Sequence, residues 1–549
     1  METNLKKAYE RLDQFIEQYM EGSNFPGLAI ALTDREKLLH ISAHGLADVS
    51  AQTPVTPDTL FEIGSIGKSF VSLALLQLCD EGKLDPHKPI THYVPWFKIQ
   101  SKFEPLTPHH LMSHTGGIVW GAFFPSARYE AWSLRETKAT TPPGTHFRYS
   151  NAGYDTLGIV LEDVSGQSYA DFLQEHIFDP LGMTQSHPTI TNKTRQDLSV
   201  GYWTFYYDRP LNRGGVLAPA TWLETDAGAG SPASTVTDMA SYLRMYLNRG
   251  QGPQGEIISE ESFEMMTQKV IKSDWLRKDS FYGYGLNIHE EDGHTYLSHG
   301  GGMVGYSAFI MMDMDEGLGA VVLTNGLGNP GQVVLYALKL LRAALDGQEL
   351  PELPPPPDPT KIKNAADYAG TYRAGTYQSD TKSFTLAAKG ENLILNYGDE
   401  RIALEQHIPD NFYVNHPDLL HFLLRFSRNK DGKVVEAFHG ADWYVNDDYT
   451  GETDFDYPAE WNAFAGHYQS HNPFRSNFRI VLRKGALALI FFAGDDSGLE
   501  ELLVPLDDGV FRVGEEEFSP ERISFNTLIN GQMIRARLSC YDFYRVSTP

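Results

Sequence analysis

The sequence predicts an α+β domain, an antiparallel sheet flanked by helices plus a helical subdomain, followed by two all-β eight-stranded barrel domains. Three observations carry this. Strand-like runs stand near the N-terminus and again between Tyr284 and Thr324, with helical patterns between them. A proline run from Leu350 to Pro359 then breaks the composition. Beyond it Tyr368-Ala369-Gly370-Thr371-Tyr372 recurs as Phe464-Ala465-Gly466-His467-Tyr468, 96 residues on, 464 against 368. The expected boundaries are 1–348 for the α+β domain, 349–362 for a stiff proline-rich linker, 363–452 for the first barrel and 453–549 for the second.

Leu5, Ala8, Leu12, Phe15, Ile16 and Tyr19 recur at helical spacing, so the chain opens on an amphipathic helix. Gly27 to Leu32 and Lys37 to Gly45 read as two strands joined by the polar turn Thr33-Asp34-Arg35-Glu36. Phe70, Leu73, Ala74, Leu75, Leu76, Leu78 and Cys79 form a buried helix stopped by Asp80-Glu81-Gly82. His109 to His114 is a short helix closed by Gly116-Gly117. Strands follow at Tyr284–Ile288, Thr295–Ser298, Tyr306–Met311 and Ala320–Thr324, then a helix from Gln332 to about Ala344. Each repeat copy passes through short strand-like segments and closes on Asp442-Trp443-Tyr444-Val445 or Asp542-Phe543-Tyr544-Arg545-Val546.

Acidic residues outnumber basic ones, 71 to 45, for a net charge of −26, and there is no basic patch or tail. Nucleic acid and anionic membrane are therefore not expected partners. The N-terminus lacks the apolar core of a secretory signal, and no apolar run reaches the ~20 residues of a membrane span. The expectation is a cytoplasmic protein. Cys79 and Cys540 are the two cysteines, placed as packing residues, so neither a disulfide framework nor a cysteine zinc site is expected.

The chemistry concentrates at Ser65-Ile66-Gly67-Lys68, where Ser65 opens the buried helix and Lys68 lies one turn along the same face. A serine is a nucleophile only when a base takes its proton, and burial plus the helix dipole can free a lysine for that work. Ser379-x-x-Lys382 and Ser427-x-x-Lys430 share the spacing, but no long helix follows either. Downstream stands Tyr149-Ser150-Asn151. The Tyr149 hydroxyl could relay a proton if the charge of Lys68 lowers its pKa, and the Asn151 amide could hold Lys68 and a substrate carbonyl together. The ordinary alternative is a loop aromatic, since Tyr413-x-Asn415 and Tyr444-x-Asn446 repeat the pattern. His299-Gly300-Gly301-Gly302 lies between two strand runs, where glycines would admit a substrate backbone and leave N–H groups for an oxyanion. An α/β-hydrolase reading of this stretch fails, because Gly305-Tyr306-Ser307-Ala308 meets Phe309 where the nucleophile elbow needs a second glycine. His110 and His114 are four apart but lack the glutamate of a zinc helix, so no metal is expected.

Taken in order, Ser65-x-x-Lys68, Tyr149-x-Asn151 and His299-x-Gly301 resemble the three signature elements of the serine β-lactamase-like superfamily. Its members include class C β-lactamases, penicillin-binding proteins, type B D-Ala-D-Ala carboxypeptidases, D-aminopeptidases and certain esterases. Phe61 to Ser65, Leu111 to Gly117, Pro142 to Asn151 and Tyr282 to Leu286 support the resemblance, which covers about Leu5 to Ala344. It implies a site in a cleft between the helical subdomain and the sheet. Ser65 would be acylated, Lys68 the neighbouring base and Tyr149 the partner base or relay. Asn151, His299 and Gly301 would contact substrate, with the N–H groups of Ser65 and Gly302 as oxyanion hole. No cofactor is implied. Many members carry Lys-Thr-Gly in the third element, and that lysine suits a free substrate carboxylate better than a neutral histidine does.

The two barrels resemble the D-aminopeptidase subfamily, in which a loop of the last barrel reaches toward the active site; Ser470 to Asn477 is the matching loop here. The expected activity is a serine hydrolase acting on small amides or short peptides, D-aminopeptidase-like. A carboxylesterase, carboxypeptidase or β-lactamase of the same fold is the alternative, and a penicillin-binding or regulatory protein with little turnover the alternative of another class. The barrels could alternatively be stability or dimerisation modules, which leaves a homodimer open.

Overall fold

The computed structural model describes residues 2–121, 126–212, 214–274, 277–375, 382–492 and 498–547. It divides into two compact units. One holds residues up to Trp203 and from Leu217 to Pro355; the other holds Thr204–Val216 and everything from Pro356.

The first unit is built on a nine-stranded antiparallel sheet. Helix α1 (Glu2–Met20) precedes strands β1 (Gly27–Thr33) and β2 (Leu38–Asp48). The helical subdomain follows with α2 (Gly67–Asp80), α3 (Pro108–Met112), α4 (Ala127–Ser133) and α5 (Asn151–Ser165), among shorter helices. Helix α6 (Val236–Leu247) leads back to the sheet through β3 (Asn287–Glu291), β4 (His294–Met303), β5 (Tyr306–Asp313) and β6 (Leu318–Thr324), and α7 (Gly331–Leu345) closes the unit. The sheet order is β3-β4-β5-β6-β1-β2, with Ile271–Lys272 and Phe281–Tyr282 beyond β3 and Thr53–Pro54 beyond β2. The N-terminal strands thus complete a sheet begun 240 residues later, as Leu28 opposite Thr324 and Thr33 opposite Gly319 fix its register.

Every residue of β1 and β6 is buried, because both strands are central and covered on both faces. On one face Leu28, Ile30 and Leu32 of β1 and Val322 of β6 pack with Leu12, Phe15 and Ile16 of α1 and Val334, Leu338 and Leu341 of α7. Each such side chain contributes about 1.5–3 kcal/mol of burial. Helix α6 packs on β6 and β1 as well. Helix α2 is buried almost all round, the signature of a core helix.

The structure differs from expectation in five places. The stretch His299–Met303 is not a connecting loop: it continues β4, paired with β5 from His299 opposite Ile310 to Met303 opposite Tyr306. The strand expected from Tyr284 starts at Asn287, after Gly285 turns with a φ of 74°. Helix α3 ends at Met112, and His114 takes a φ of 56°. Helix α6, capped by Thr235, had no counterpart in the sequence reading. Finally, the proline run is no free spacer at its start. Arg11 donates to the carbonyls of Leu350 and Pro351 at 3.1 and 2.7 Å, and Leu350 and Leu353 join the α1–α7 cluster.

The second unit contains two closed eight-stranded antiparallel barrels. The first closes where Arg373 and Ala374 pair with Val445 and Tyr444, the second where His467 to Gln469 pair with Val546 to Tyr544. The repeated motif has a physical meaning. Tyr372 donates to the Tyr368 carbonyl at 3.1 Å, and Tyr468 to the Phe464 carbonyl at 2.8 Å, so each copy latches its barrel's entry turn onto its first strand. Ser427 of the second Ser-x-x-Lys decoy sits in a strand, Leu424–Arg428, while Ser379 of the first lies outside the described residues. Thr204–Val216 belongs with these barrels: Asn477 donates to the Tyr207 carbonyl at 2.7 Å, and His421 stands 3.3 Å from Asp208. Among the described residues no helix is long and apolar enough to cross a membrane.

Candidate active site

A tight turn sets Ser65. Gly64 has a φ of 53°, and a Cβ there would stand 2.7 Å from the Gly302 backbone, so only glycine fits. A 3-10 turn over Gly64–Ile66 then feeds α2. Lys68, with no exposed surface, donates to Ser65 Oγ at 3.0 Å and to the Ala229 carbonyl at 2.6 Å. Burial lowers its pKa to about 7, against the opposing pull of Asp155 and Glu130.

Tyr149 comes from the segment just before α5. Ser150 caps that helix, accepting from the Gly153 N–H at 3.0 Å and donating to the Val119 carbonyl at 2.7 Å, while its own N–H donates to His114 Nδ1 at 3.1 Å. The cap thereby fixes Tyr149 on one side and Asn151 on the other. The Tyr149 hydroxyl lies beside Ser65, and its ring lies 4.9 Å from Lys68 Nζ and 4.2 Å from the His114 ring. Burial raises the Tyr149 pKa, overriding the lowering expected from a charged Lys68. The phenol therefore stays protonated.

Asn151 is buried near this cluster, but the expected bond to Lys68 is not made; the Ala229 carbonyl takes its place. The Asn151 side-chain oxygen has no hydrogen-bond partner among the described residues. His299 is fully buried, with Nε2 2.9 Å from the Tyr282 hydroxyl and Nδ1 2.6 Å from the Gly300 carbonyl. Burial, then Lys68, lowers its pKa to about 3, so the ring is neutral. Gly301 serves a chain crossing: a Cβ there would stand 1.9 Å from the Ile63 carbonyl oxygen. Among the described residues β3 ends its pairing at Ser298, so from His299 to Met303 the other edge of β4 carries no strand. Gly302 is exposed there, with nothing near its Cβ direction.

Three side chains escaped the sequence reading as contributors to this site. Asp155 and Glu130 are buried carboxyls behind Lys68, and Asp155 Oδ1 accepts the Ala229 N–H at 3.0 Å. Burial, then Glu130, raises the Asp155 pKa strongly, which favours its protonated form. One residue, Ala229, thus receives Asp155 on its N–H and Lys68 on its carbonyl. His114 is the third, a neutral ring backing Tyr149 and lowered by burial. An aspartate inside the apolar run of α5 was the available signal for Asp155.

His110 Nδ1 lies 3.0 Å from the Thr107 hydroxyl and His114 Nδ1 faces Ser150, so the two imidazoles serve local structure. Among the described residues, donor atoms converge at His294, Asp313 and Asp315, where Asp313 already pairs with Arg342 at 3.1 Å.

A serine with an amine of near-neutral pKa at hydrogen-bond distance, and a protonated phenol beside it, is equipped for acyl transfer. A family profile, Beta-lactamase, matches residues 12–344. The chain belongs to the β-lactamase family. Among curated members it is 28% identical to Penicillin-binding protein 4 of Amycolatopsis lactamdurans over 362 residues, 63% of this chain and 93% of that one. It is 24% identical to Protein flp of Staphylococcus aureus strain N315 over 330 residues, and spans 63% of that protein's length. Among solved members of similar fold, the octameric penicillin-binding protein homologue from Pyrococcus abyssi is 27% identical, with a TM-score of 0.57 over 80% of this chain and all of that one. A penicillin binding protein from Bacillus halodurans shares the fold at 21% identity and a TM-score of 0.51, over 60% of this chain and 99% of that one.

Proposed function

We propose that this β-lactamase-family chain is a serine hydrolase working through an acyl-enzyme on small amides or short peptides, with D-aminopeptidase-like specificity. The observation that carries the reading is the 3.0 Å contact between Ser65 Oγ and a fully buried Lys68 whose pKa lies near 7. Ser65 Oγ attacks the substrate carbonyl carbon while Lys68 takes its proton. The oxyanion rests on the N–H groups of Ser65 and Gly302, at the helix start and the open edge of β4. The Tyr149 hydroxyl, protonated and beside Ser65, gives its proton to the leaving nitrogen as the C–N bond breaks. The proton held by Lys68 then restores Tyr149. Water hydrolyses the ester by the reverse path. The two-barrel tail and a neutral His299 support an aminopeptidase over a carboxypeptidase, since no lysine stands ready for a terminal carboxylate.

Intact-mass screening across D- and L-aminoacyl amides, esters and β-lactams tests this. A Ser65 adduct or turnover with D-aminoacyl amides is expected, and undiminished hydrolysis by Ser65→Ala would falsify the reading. A second reading is favoured by the names of the relatives: a penicillin-binding protein with little turnover. It predicts a persistent β-lactam adduct on Ser65 and no amide hydrolysis.

A further inference from the structure

Asp155 stands four residues after Asn151, one turn further along α5, and is the one charged residue between Ala152 and Leu161. It has no exposed surface. A carboxyl that deep in a helix is costly unless it holds a partner. Its Oδ1 accepts the Ala229 N–H at 3.0 Å, while Oδ2 is buried with no hydrogen-bond partner among the described residues. Ala229 is therefore what this side chain holds.

Ala229 lies in the turn Gly228–Gly230, outside any strand or helix, so no ladder of hydrogen bonds sets the direction of its peptide groups. That turn is wedged between α5 and the turn carrying Ser65. A Cβ on Gly228 would stand 2.4 Å from the Tyr154 carbonyl oxygen, and one on Gly230 would stand 3.1 Å from the Gly64 carbonyl carbon. Glycines on both sides admit this approach but do nothing to fix the backbone between them. The Ala229 carbonyl accepts from Lys68 Nζ at 2.6 Å, and Nζ lies 3.0 Å from Ser65 Oγ. A neutral amine has two N–H bonds and one lone pair. With one N–H engaged by the Ala229 carbonyl, the rotation about Cε–Nζ is set, and the lone pair can meet the Ser65 hydroxyl.

We propose that Asp155 is a positioning residue for acyl transfer: by holding the Ala229 N–H it aims the Ala229 carbonyl at Lys68, and so aims the amine at Ser65. The proposal rests on the serine hydrolase reading and adds a residue to it. The acceptor oxygen matters here, not a charge. Burial, then Glu130, favours the protonated carboxyl, and the protonated acid still offers Oδ1 to the N–H. The titratable groups facing the pair are Glu130 from α4, Tyr169 from the segment after α5, and Tyr149, Tyr154, His114 and His299 around Lys68.

The test is stopped-flow release of p-nitrophenolate from p-nitrophenyl acetate by the full chain, with intact mass reporting the acetyl group on Ser65. Asp155→Asn keeps the shape and an oxygen acceptor. Asp155→Ala and Asp155→Leu remove the acceptor, the leucine while filling the volume. Rate constants are taken per acetylated site, so a misfolded fraction does not enter. The Asn variant is expected to acylate within about threefold of wild type, with its rise of rate with pH still centred near 7. The Ala and Leu variants are expected to acylate about 10–100-fold more slowly. Their pH midpoint should also move down, because the ammonium form of Lys68 loses the carbonyl that favours it. A role in stability alone lowers the melting temperature and leaves rate per site and midpoint unchanged in every variant, and that result overturns the proposal. An Asn variant as slow as the other two also overturns it, by assigning the effect to the charge of the carboxyl. Where neither acceptor-free variant folds, Asn decides: a rate and midpoint near wild type uphold the proposal, and a loss of about tenfold overturns it. Absence of an acetyl adduct on wild-type Ser65 sinks the hydrolase reading itself and takes this proposal with it.

Discussion

A lysine 3.0 Å from a serine is useful only when it is neutral, and Lys68 is brought there by burial. Activity on amides is therefore expected to rise with pH through about 7 as Lys68 loses its proton, while Tyr149 keeps its own. Lys68→Met, which keeps the volume and removes the base, should lower the acylation rate by about 10²–10⁴-fold, read by stopped-flow or mass. Glu62 gives a stability prediction of opposite character. Its folded pKa is raised from 4.5 to about 8, so between those values the folded chain binds a proton that the unfolded chain has released. That term makes stability fall as pH rises across this window. Glu62→Gln should match wild type near pH 4.5 and melt higher near pH 8; a wild-type lead at pH 8 would contradict it. The meeting of Ser65, Lys68 and Tyr149 was legible because each stands in a short motif of distinctive side chains. Ala229 was not, because it acts through its backbone 161 residues from Lys68, and a sequence carries no mark of which carbonyl will turn inward.

At the scale of elements, periodicity found α1, α2, α7 and the central strands, whose apolar residues are buried as their spacing demands. It failed at His299–Met303, where three glycines argue against a strand. Pairing with Tyr306–Ile310 overrides that weak local preference, and Gly301 is required from outside the strand by the crossing of Ile63. Gly301→Ala should therefore disturb two elements at once, since its Cβ would stand 1.9 Å from the Ile63 carbonyl and the turn carrying Ser65 must shift. We expect a loss of about 1–3 kcal/mol in thermal or denaturant unfolding. Amide turnover should fall further than that loss of fold explains. Gly302→Ala, with open space at its Cβ, is the matched control and should leave stability near wild type.

For the whole molecule, the proline run and the 96-residue repeat announced a change of architecture, and two closed barrels follow. The segment Thr204–Val216 gave no such notice, because its allegiance rests on contacts such as Asn477 to the Tyr207 carbonyl, formed 270 residues apart. Two units with separate cores predict two transitions in calorimetry. A β-lactam or amide bound at Ser65 should raise only the one belonging to the first unit. Asn477→Ala should lower the other by about 0.5–1.5 kcal/mol, and a single transition under all conditions would contradict both expectations.

Ala229 has a practical consequence for anyone mapping this site by mutation. The groups it contributes, an N–H to Asp155 and a carbonyl to Lys68, survive every side-chain replacement except proline, and an alanine scan leaves the position as it already is. The contribution of each group becomes visible when the main chain itself is edited. An amide-to-ester exchange that deletes the Ala229 N–H leaves Asp155 without its donor and keeps the carbonyl facing Lys68. The least informative letter of the sequence thus holds the amine and the carboxyl together.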